Sequence, residues 1–524
     1  MTPRAWLFIC LGALTVLRLA LIGLNELSPD EAYYCLWAQH PALSYYSKGP
    51  AVAFTIKAGM ALFGANEFGV RFFAPWLALG TSLILFFFAR RLYGETVAIW
   101  TVLAMNCIPI FNVGGVVMTI DPLSIFFWAA ALFTFWLALE KSPAFTWWWA
   151  LTGLLIGLGF LSKYTNAMQL LSVVLVLALT QKYRREFARI GFYSMLATFA
   201  ICTLPPIIWN QQNEWITLAH LRARGGLNSA FAVHPGELFS FLGAHLGVYS
   251  PLLFASLMMA LGWAWRPAKT KYKPRFLLLF ALPLLVMYFI LSLKQAGEAN
   301  WTAPAFVSLG ILATAIWHEA AQTSGWKARF AMSGMILGIL MSWLIIRTDV
   351  LRDVRIPLSY ALDPSSRLRG WKSGAEGIEK ARLKFEQQTG KPAFLIANKY
   401  QTAATLSFYL PEKRVEGPGH PPVYTPESQS MDTEFSFWPR YEEFVAVPDV
   451  QRPDAYYTEE QGVNPFIGRN ALYITDRAEE RPPTSIKSGF ERVEMIALLE
   501  LNRRGLPLRE LRVFACYNYH SLPL

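Results

Sequence analysis

A polytopic α-helical membrane domain followed by a C-terminal soluble α/β domain is the fold class this sequence predicts, and three observations carry it. The chain of 524 residues is 54% hydrophobic and only 16% charged, with 19 Trp, 21 Tyr and 37 Phe, an aromatic load suited to membrane interfaces. Apolar runs of spanning length recur up to about residue 347 and then stop. The charge is unevenly divided: residues 1–347 hold 24 Lys/Arg against 12 Asp/Glu, and residues 348–524 hold 23 against 24. The net +11 therefore belongs to the membrane part and is not a nucleic-acid signature.

The apolar runs lie near 5–24, 70–89, 95–117, 122–139, 146–162, 166–180, 190–209, 237–262, 276–293, 301–317 and 328–347, giving about eleven transmembrane helices. The first lacks a small-residue cleavage site before Asn25 and reads as a retained signal anchor. With the N-terminus inside, the inner loops carry Arg90 and Arg91, then Lys182, Arg184, Arg185 and Arg189, then Arg266, Lys269, Lys271, Lys273 and Arg275, then Lys327 and Arg329. This is the positive-inside pattern. It places the loop at 25–69, Asp121, Lys163, the 210–236 loop, the 294–300 loop and the 348–524 domain on the outer side.

The loop at 25–69 is too aromatic to be a plain connector. Asp30 to Gln39 and Pro50 to Phe63 read as two short helices, the first capped by Ser28 and the second closed by Gly64. Such helices lie in the interface plane. Ser28 and Glu31 have the spacing of a capping box, which accounts for Glu31 by helix capping as readily as by chemistry. No cap demands Asp30, so Asp30 is the carboxylate left for catalysis. Asp121 before Pro122 has turn initiation as its plain reading. Lys163 and Lys294 have interfacial anchoring as theirs. Gly153, Gly157 and Gly159 read as close helix packing.

Five cysteines are too few and scattered for a disulfide framework. His234, His245 and His318 have no zinc-ligand spacing. The absence of a Walker or Rossmann glycine loop argues against direct use of a nucleotide. In the tail, Pro392 to Ala397 and Ala471 to Thr475 read as strands and Tyr400 to Tyr409 as a helix. Arg492 to Leu501 and Arg509 to Tyr517 read as paired antiparallel strands. Stretches 411–426 and 448–466 read as loops or lids.

In order along the chain, Pro29-Asp30-Glu31-Ala32-Tyr33-Tyr34, Tyr46-Ser47-Lys48-Gly49-Pro50, Thr119-Ile120-Asp121-Pro122, Gly159-Phe160-Leu161-Ser162-Lys163-Tyr164 and Asn300-Trp301-Thr302-Ala303-Pro304 resemble the GT-C membrane glycosyltransferases. The resemblance covers about 5–347. It points to the bacterial branch related to dolichyl-phosphate-mannose protein mannosyltransferases and lipid A aminoarabinose transferase. It implies a polyprenyl-phosphate-linked sugar donor, a glycolipid or protein acceptor, and transfer at the outer face of a bacterial inner membrane. By motif match the essential aspartate is Asp30 and the second acidic position is Asp121. Glu31, Tyr34, Tyr46, Lys48, Lys163, Lys294, Glu298 and Asn300 are the substrate-binding candidates. Tyr33 stands where the aminoarabinose branch has an arginine, and Ser47 where it has a glutamate, so the sugar is not carried over.

The expected mechanism is single displacement, with Asp30 as general base and Lys48 meeting the charge on the departing phosphate. Asp121 either positions the acceptor or, with Asp30, holds a divalent cation, Mg or Mn. Two rivals stand beside this reading. One is a transporter or flippase for a lipid-linked sugar, against which the sequence offers no internal repeat and no matched broken spans. The other makes 348–524 a module that presents the acceptor.

Overall fold

The computed structural model describes residues 1–228, 230, 232–347, 349–356, 365–426, 428, 430–442, 464–477 and 481–520. The chain forms two compact units, one of Met1–Gly23 and Pro41–Arg347, the other of Leu24–His40 and Thr348–Leu524. The tail boundary falls where the composition changes. Leu24–His40, assigned from sequence to the membrane domain with the rest of the 25–69 loop, instead belongs to the unit built by the tail.

The first unit is helical. Among the described residues, seven helices are long and apolar enough to cross a membrane: Pro3–Leu21, Glu67–Tyr93, Ile120–Glu140, Ile190–Gln212, Tyr272–Ser292, Ala299–Thr323 and Gly325–Ile346. The other four apolar runs are helical but interrupted or short. The run at 95–117 breaks at Ile108 into Glu95–Cys107 and Pro109–Val113, because a residue before proline is pushed out of the helical region. At Ser250, before Pro251, φ is +70° and helices Pro235–Tyr249 and Pro251–Thr270 meet at 113°. Tyr164–Leu179 meets Gln181–Ala188 at 118°, and Trp148–Ser162 has only 15 residues. The count is thus seven spans, or nine with each bent pair taken as one, and broken helices are present where none was read.

Aromatic side chains cluster where the end of Ile120–Glu140 meets the start of Tyr272–Ser292: Phe135, Trp136, Phe276 and Phe280 make ring contacts with centroids 5.0–5.8 Å apart. Glycines bring helix Trp148–Ser162 close to its neighbours, as expected. A Cβ at Gly153 would fall 1.9 Å from the Met195 carbonyl oxygen, and one at Gly157 would fall 2.4 Å from Cys202 Cβ.

The second unit holds a four-stranded sheet in the order β1-β2-β4-β3, with β1 Ala393–Ala397, β2 Asn470–Thr475, β3 Phe490–Arg503 and β4 Leu506–Tyr519. β1 and β2 are parallel and buried throughout, which is why they read as continuous apolar runs. β3 and β4 form the expected hairpin, longer than read and closed by Arg504 and Gly505, both at positive φ (52° and 75°), a pairing that matches strand twist. Helix Tyr400–Tyr409 stands as expected, and helix Trp371–Thr389 was not read from sequence. The stretch 411–426 is packed rather than free: Tyr424 is buried and bridges Ile396. Of the run 448–466, residues 448–463 lie outside the described residues, and Phe466 is a core side chain.

Candidate active site

Helix Pro29–Gln39 carries the first carboxylates. Its capping box is complete: the Ser28 amide and hydroxyl donate to Glu31 Oε2 at 2.9 and 3.0 Å, and the Glu31 amide donates to Ser28 Oγ at 3.4 Å. Glu31 is fully buried and is spent on the cap. Asp30 is exposed in the first helical turn. Behind it, Tyr33 and Tyr34 are buried. Tyr34 meets Trp37 at 4.9 Å, and Tyr33 packs on Tyr400 at 4.6 Å. The Glu434 amide donates to Tyr33 Oη at 2.6 Å, and the Leu27 amide donates to Tyr409 Oη at 2.6 Å. Burial, reinforced by the nearby Glu434 charge, holds the Tyr33 phenol well above its ordinary range. Asp30 is therefore presented by a helix pinned to the tail domain.

Of the remaining candidates, Asp121, Lys163 and Asn300 meet in the first unit. Asp121 sits in the first turn of Ile120–Glu140, where its amide donates to the Thr119 cap at 3.4 Å. Lys163, at the end of Trp148–Ser162, donates to Asp121 Oδ1 at 2.8 Å, and Asn300 Nδ2 donates to Oδ2 at 2.7 Å. Lys163 also reaches the Asn300 carbonyl at 3.5 Å. Two residues beyond Asn300, Thr302 Oγ1 is held by buried His245 at 2.9 Å and Tyr249 at 3.2 Å. This accounts for His245 as a core residue. The Lys163 and Asp121 side chains are only 6% and 15% exposed, so removing either would leave the other's charge without its partner in a largely shielded place.

Lys163→Met is expected to destabilise the protein by about 3–5 kcal/mol by leaving the carboxylate uncompensated. Adding Asp121→Asn should restore part of the loss, as measured by thermal unfolding in detergent. A single mutant as stable as the parent would contradict the pairing.

Around this triad stands a cationic rim. Tyr46 is buried and its Oη lies 3.1 Å from His220 Nδ1, with the rings 4.6 Å apart. Ser44 Oγ lies 2.9 Å from Tyr164 Oη, and the Ser44 hydroxyl and the Tyr45 amide donate to the Lys48 carbonyl. At Gly49 a Cβ would fall 2.1 Å from the Leu161 carbonyl oxygen, so only glycine lets this loop close against the helix bearing Lys163. Arg224 lies over the Trp301 ring at 5.3 Å. Lys294 donates to the Gly226 carbonyl, and Glu298 is exposed.

Burial first, then the charges of Lys48 and Arg224, push His220 down to about 4. At neutral pH its ring is therefore neutral, with one donor and one acceptor, and Nε2 has no hydrogen-bond partner among the described residues. Because the folded value lies below the ordinary 6.5, protons favour the unfolded chain as pH falls from about 6.5 towards 4. Thermal stability should drop across that window in the parent and drop less in His220→Gln. Equal slopes would remove His220 as the cause.

His220 and Arg224 were not read from sequence. Their signal was the i, i+4 spacing on helix Ile216–Arg224, inside a loop assigned to the same side as Asp121. No group of three or more His, Cys, Asp or Glu among the described residues is arranged to hold a metal, and both Asp121 oxygens already carry donors.

Residues 47–209 match the family model described as dolichyl-phosphate-mannose-protein mannosyltransferase. The chain is 27% identical over 324 residues to the lipid A galacturonosyltransferase of Rhizobium johnstonii, covering 60% of this chain and 66% of the relative. It is 24% identical over 306 residues to the undecaprenyl phosphate-alpha-4-amino-4-deoxy-L-arabinose arabinosyl transferase of Erwinia tasmaniensis, covering 57% and 54%. The matched stretch thus spans just under two thirds of the first relative and about half of the second. In fold it resembles the crystal structure of ArnT from Cupriavidus metallidurans bound to undecaprenyl phosphate, with a TM-score of 0.61, 16% identity and full coverage of both chains. The fold is that of the GT-C membrane glycosyltransferases, as the order of motifs implied.

Proposed function

We propose that this chain moves a sugar from a polyprenyl-phosphate donor to an acceptor hydroxyl at the periplasmic face of a bacterial inner membrane. The observation that carries the reading is the basic rim of Lys48, Arg224 and neutral His220 beside the Asp121, Lys163 and Asn300 triad, on loops that the positive-inside pattern assigns to one side. Likeness to relatives named for undecaprenyl-phosphate and lipid A chemistry supports the donor class and favours a glycolipid acceptor over a protein one.

In this mechanism the acceptor oxygen attacks the anomeric carbon, and the carbon–oxygen bond to phosphate breaks. The electron pair leaves on the phosphate, and the acceptor proton passes to Asp30. A phosphate leaving group needs little acid assistance, so one base and a few cations suffice, unlike the paired carboxyls of a glycoside hydrolase. Lys48 and Arg224 meet the phosphate charge. Neutral His220 adds a hydrogen bond without competing for the proton. Asp121 is a positioning residue that fixes Lys163 and Asn300, and no step runs through a metal.

The test is transfer of labelled sugar from a synthetic polyprenyl-phosphate donor in detergent, where no compartments exist. Sugar appearing on a glycolipid acceptor supports the proposal. No transfer by a folded, donor-binding protein would favour a transporter.

A further inference from the structure

The end of the helical unit remote from Asn300 holds a cavity with none of Asp121, Lys163 and Asn300 in its lining. It measures about 330 Å³, within the range of small-ligand sites. It exists because small side chains face it: Ala104, Gly310, Ala313, Ala321 and Ala328 leave the space. Measured along Ala303–Thr323 at 1.5 Å per residue, Gly310 lies about 10 Å and Gln322 about 29 Å from Ala303. The cavity therefore runs along about two thirds of the helix, to the end away from the site.

Its walls are apolar, with adaptable Met105, Met332 and Met335 among them. Ser256 and Thr314 also line it, but their hydroxyls donate to the Leu252 and Gly310 carbonyls of their own helices, and at the far end His318 and Gln322 lie 3.1 Å apart. Beside that end Lys327 sits over the Trp263 and Trp326 rings at 5.9 and 6.0 Å. Trp263 in turn packs on Trp317, a cavity wall, at 5.2 Å. Arg329 follows Lys327, both in the first turns of helix Gly325–Ile346.

A hydrocarbon slot that ends in hydrogen-bonding groups, an indole pair and a lysine has the chemistry of an amphiphile site. Basic pockets between membrane helices recognise anionic head groups, and tryptophans mark the head-group level. We propose that this cavity binds one acyl chain of an anionic phospholipid, with its phosphate beside Lys327. The donor's isoprenyl chain is disfavoured as occupant because the rim that would hold its phosphate lies at the opposite end of this unit.

The test is native mass spectrometry of the full chain released from nanodiscs containing phosphatidylglycerol and phosphatidylcholine in equal parts. The parent is expected to retain one phosphatidylglycerol. Lys327→Gln should weaken that preference about fivefold, the weight of one lysine near an anionic head group. Ala313→Phe, which fills the slot, should retain neither lipid and leave sugar transfer unchanged. Undiminished lipid in Ala313→Phe, an unchanged preference in Lys327→Gln, or one-for-one displacement by a polyprenyl phosphate would each overturn the proposal. If Ala313→Phe does not fold, the Lys327→Gln comparison and the displacement measurement decide it. Lipid retention is read without any turnover, so its failure is distinct from failure of the transferase reading.

Discussion

Asp30→Asn is expected to lower sugar transfer by about 10²–10⁴-fold, the usual worth of a positioned general base, while leaving donor binding intact. The amide fills the same space on the exposed turn of helix Pro29–Gln39 and cannot take the acceptor proton. Its effect should fall on kcat and not on KM, since the proton moves only in the transition state. Asp30→Glu, which keeps the carboxylate on a longer stem, should recover part of the rate. A correctly folded Asp30→Asn protein transferring sugar at the parental rate would remove Asp30 from the proposed mechanism and leave the acceptor proton to another group.

Lys48→Ala should cost about 10²–10³ in rate, as loss of one preorganised charge stabiliser does. Unlike Asp30→Asn it should also weaken donor binding, because the phosphate is charged before the reaction as well as after it. Lys48→Arg should retain more activity than Lys48→Ala. The same variant tests the site a second way: with the Lys48 charge gone, one cause of the depressed His220 value is removed, and its NMR-detected titration should move up from about 4. A fixed His220 titration together with full activity would separate Lys48 from the site.

What could be read from the sequence was local. The capping box needs only four neighbouring residues, and it formed as spaced. The buried parallel strands announced themselves as apolar runs. Helix Trp371–Thr389 did not, although Trp371, Ala375, Ile378 and Phe385 repeat at helical spacing and are buried. Two charged residues, Glu379 and Arg382, sit on that buried face as an ion pair at 2.6 Å and break the apolar pattern a reader looks for.

Asp121 and Lys163 were each legible as polar groups at helix ends. Their pairing was not, because nothing within a window of sequence joins positions 42 residues apart. His220 and Arg224 lie on a nine-residue helix with too little apolar periodicity to stand out from its loop. The bends at Thr180 and Ser250 were hidden because hydropathy measures length and polarity but not direction.

The attachment of Leu24–His40 to the tail sets the terms on which this protein can be cut and recombined. A chimaera that exchanges residues 348–524 with a relative's tail would leave Tyr33 facing a foreign surface in place of Tyr400 and the Glu434 amide. The heritable module is discontinuous. A viable graft must carry residues 24–40 with the tail, and a truncation at 347 would remove the carrier of the proposed base's helix along with any acceptor-binding role.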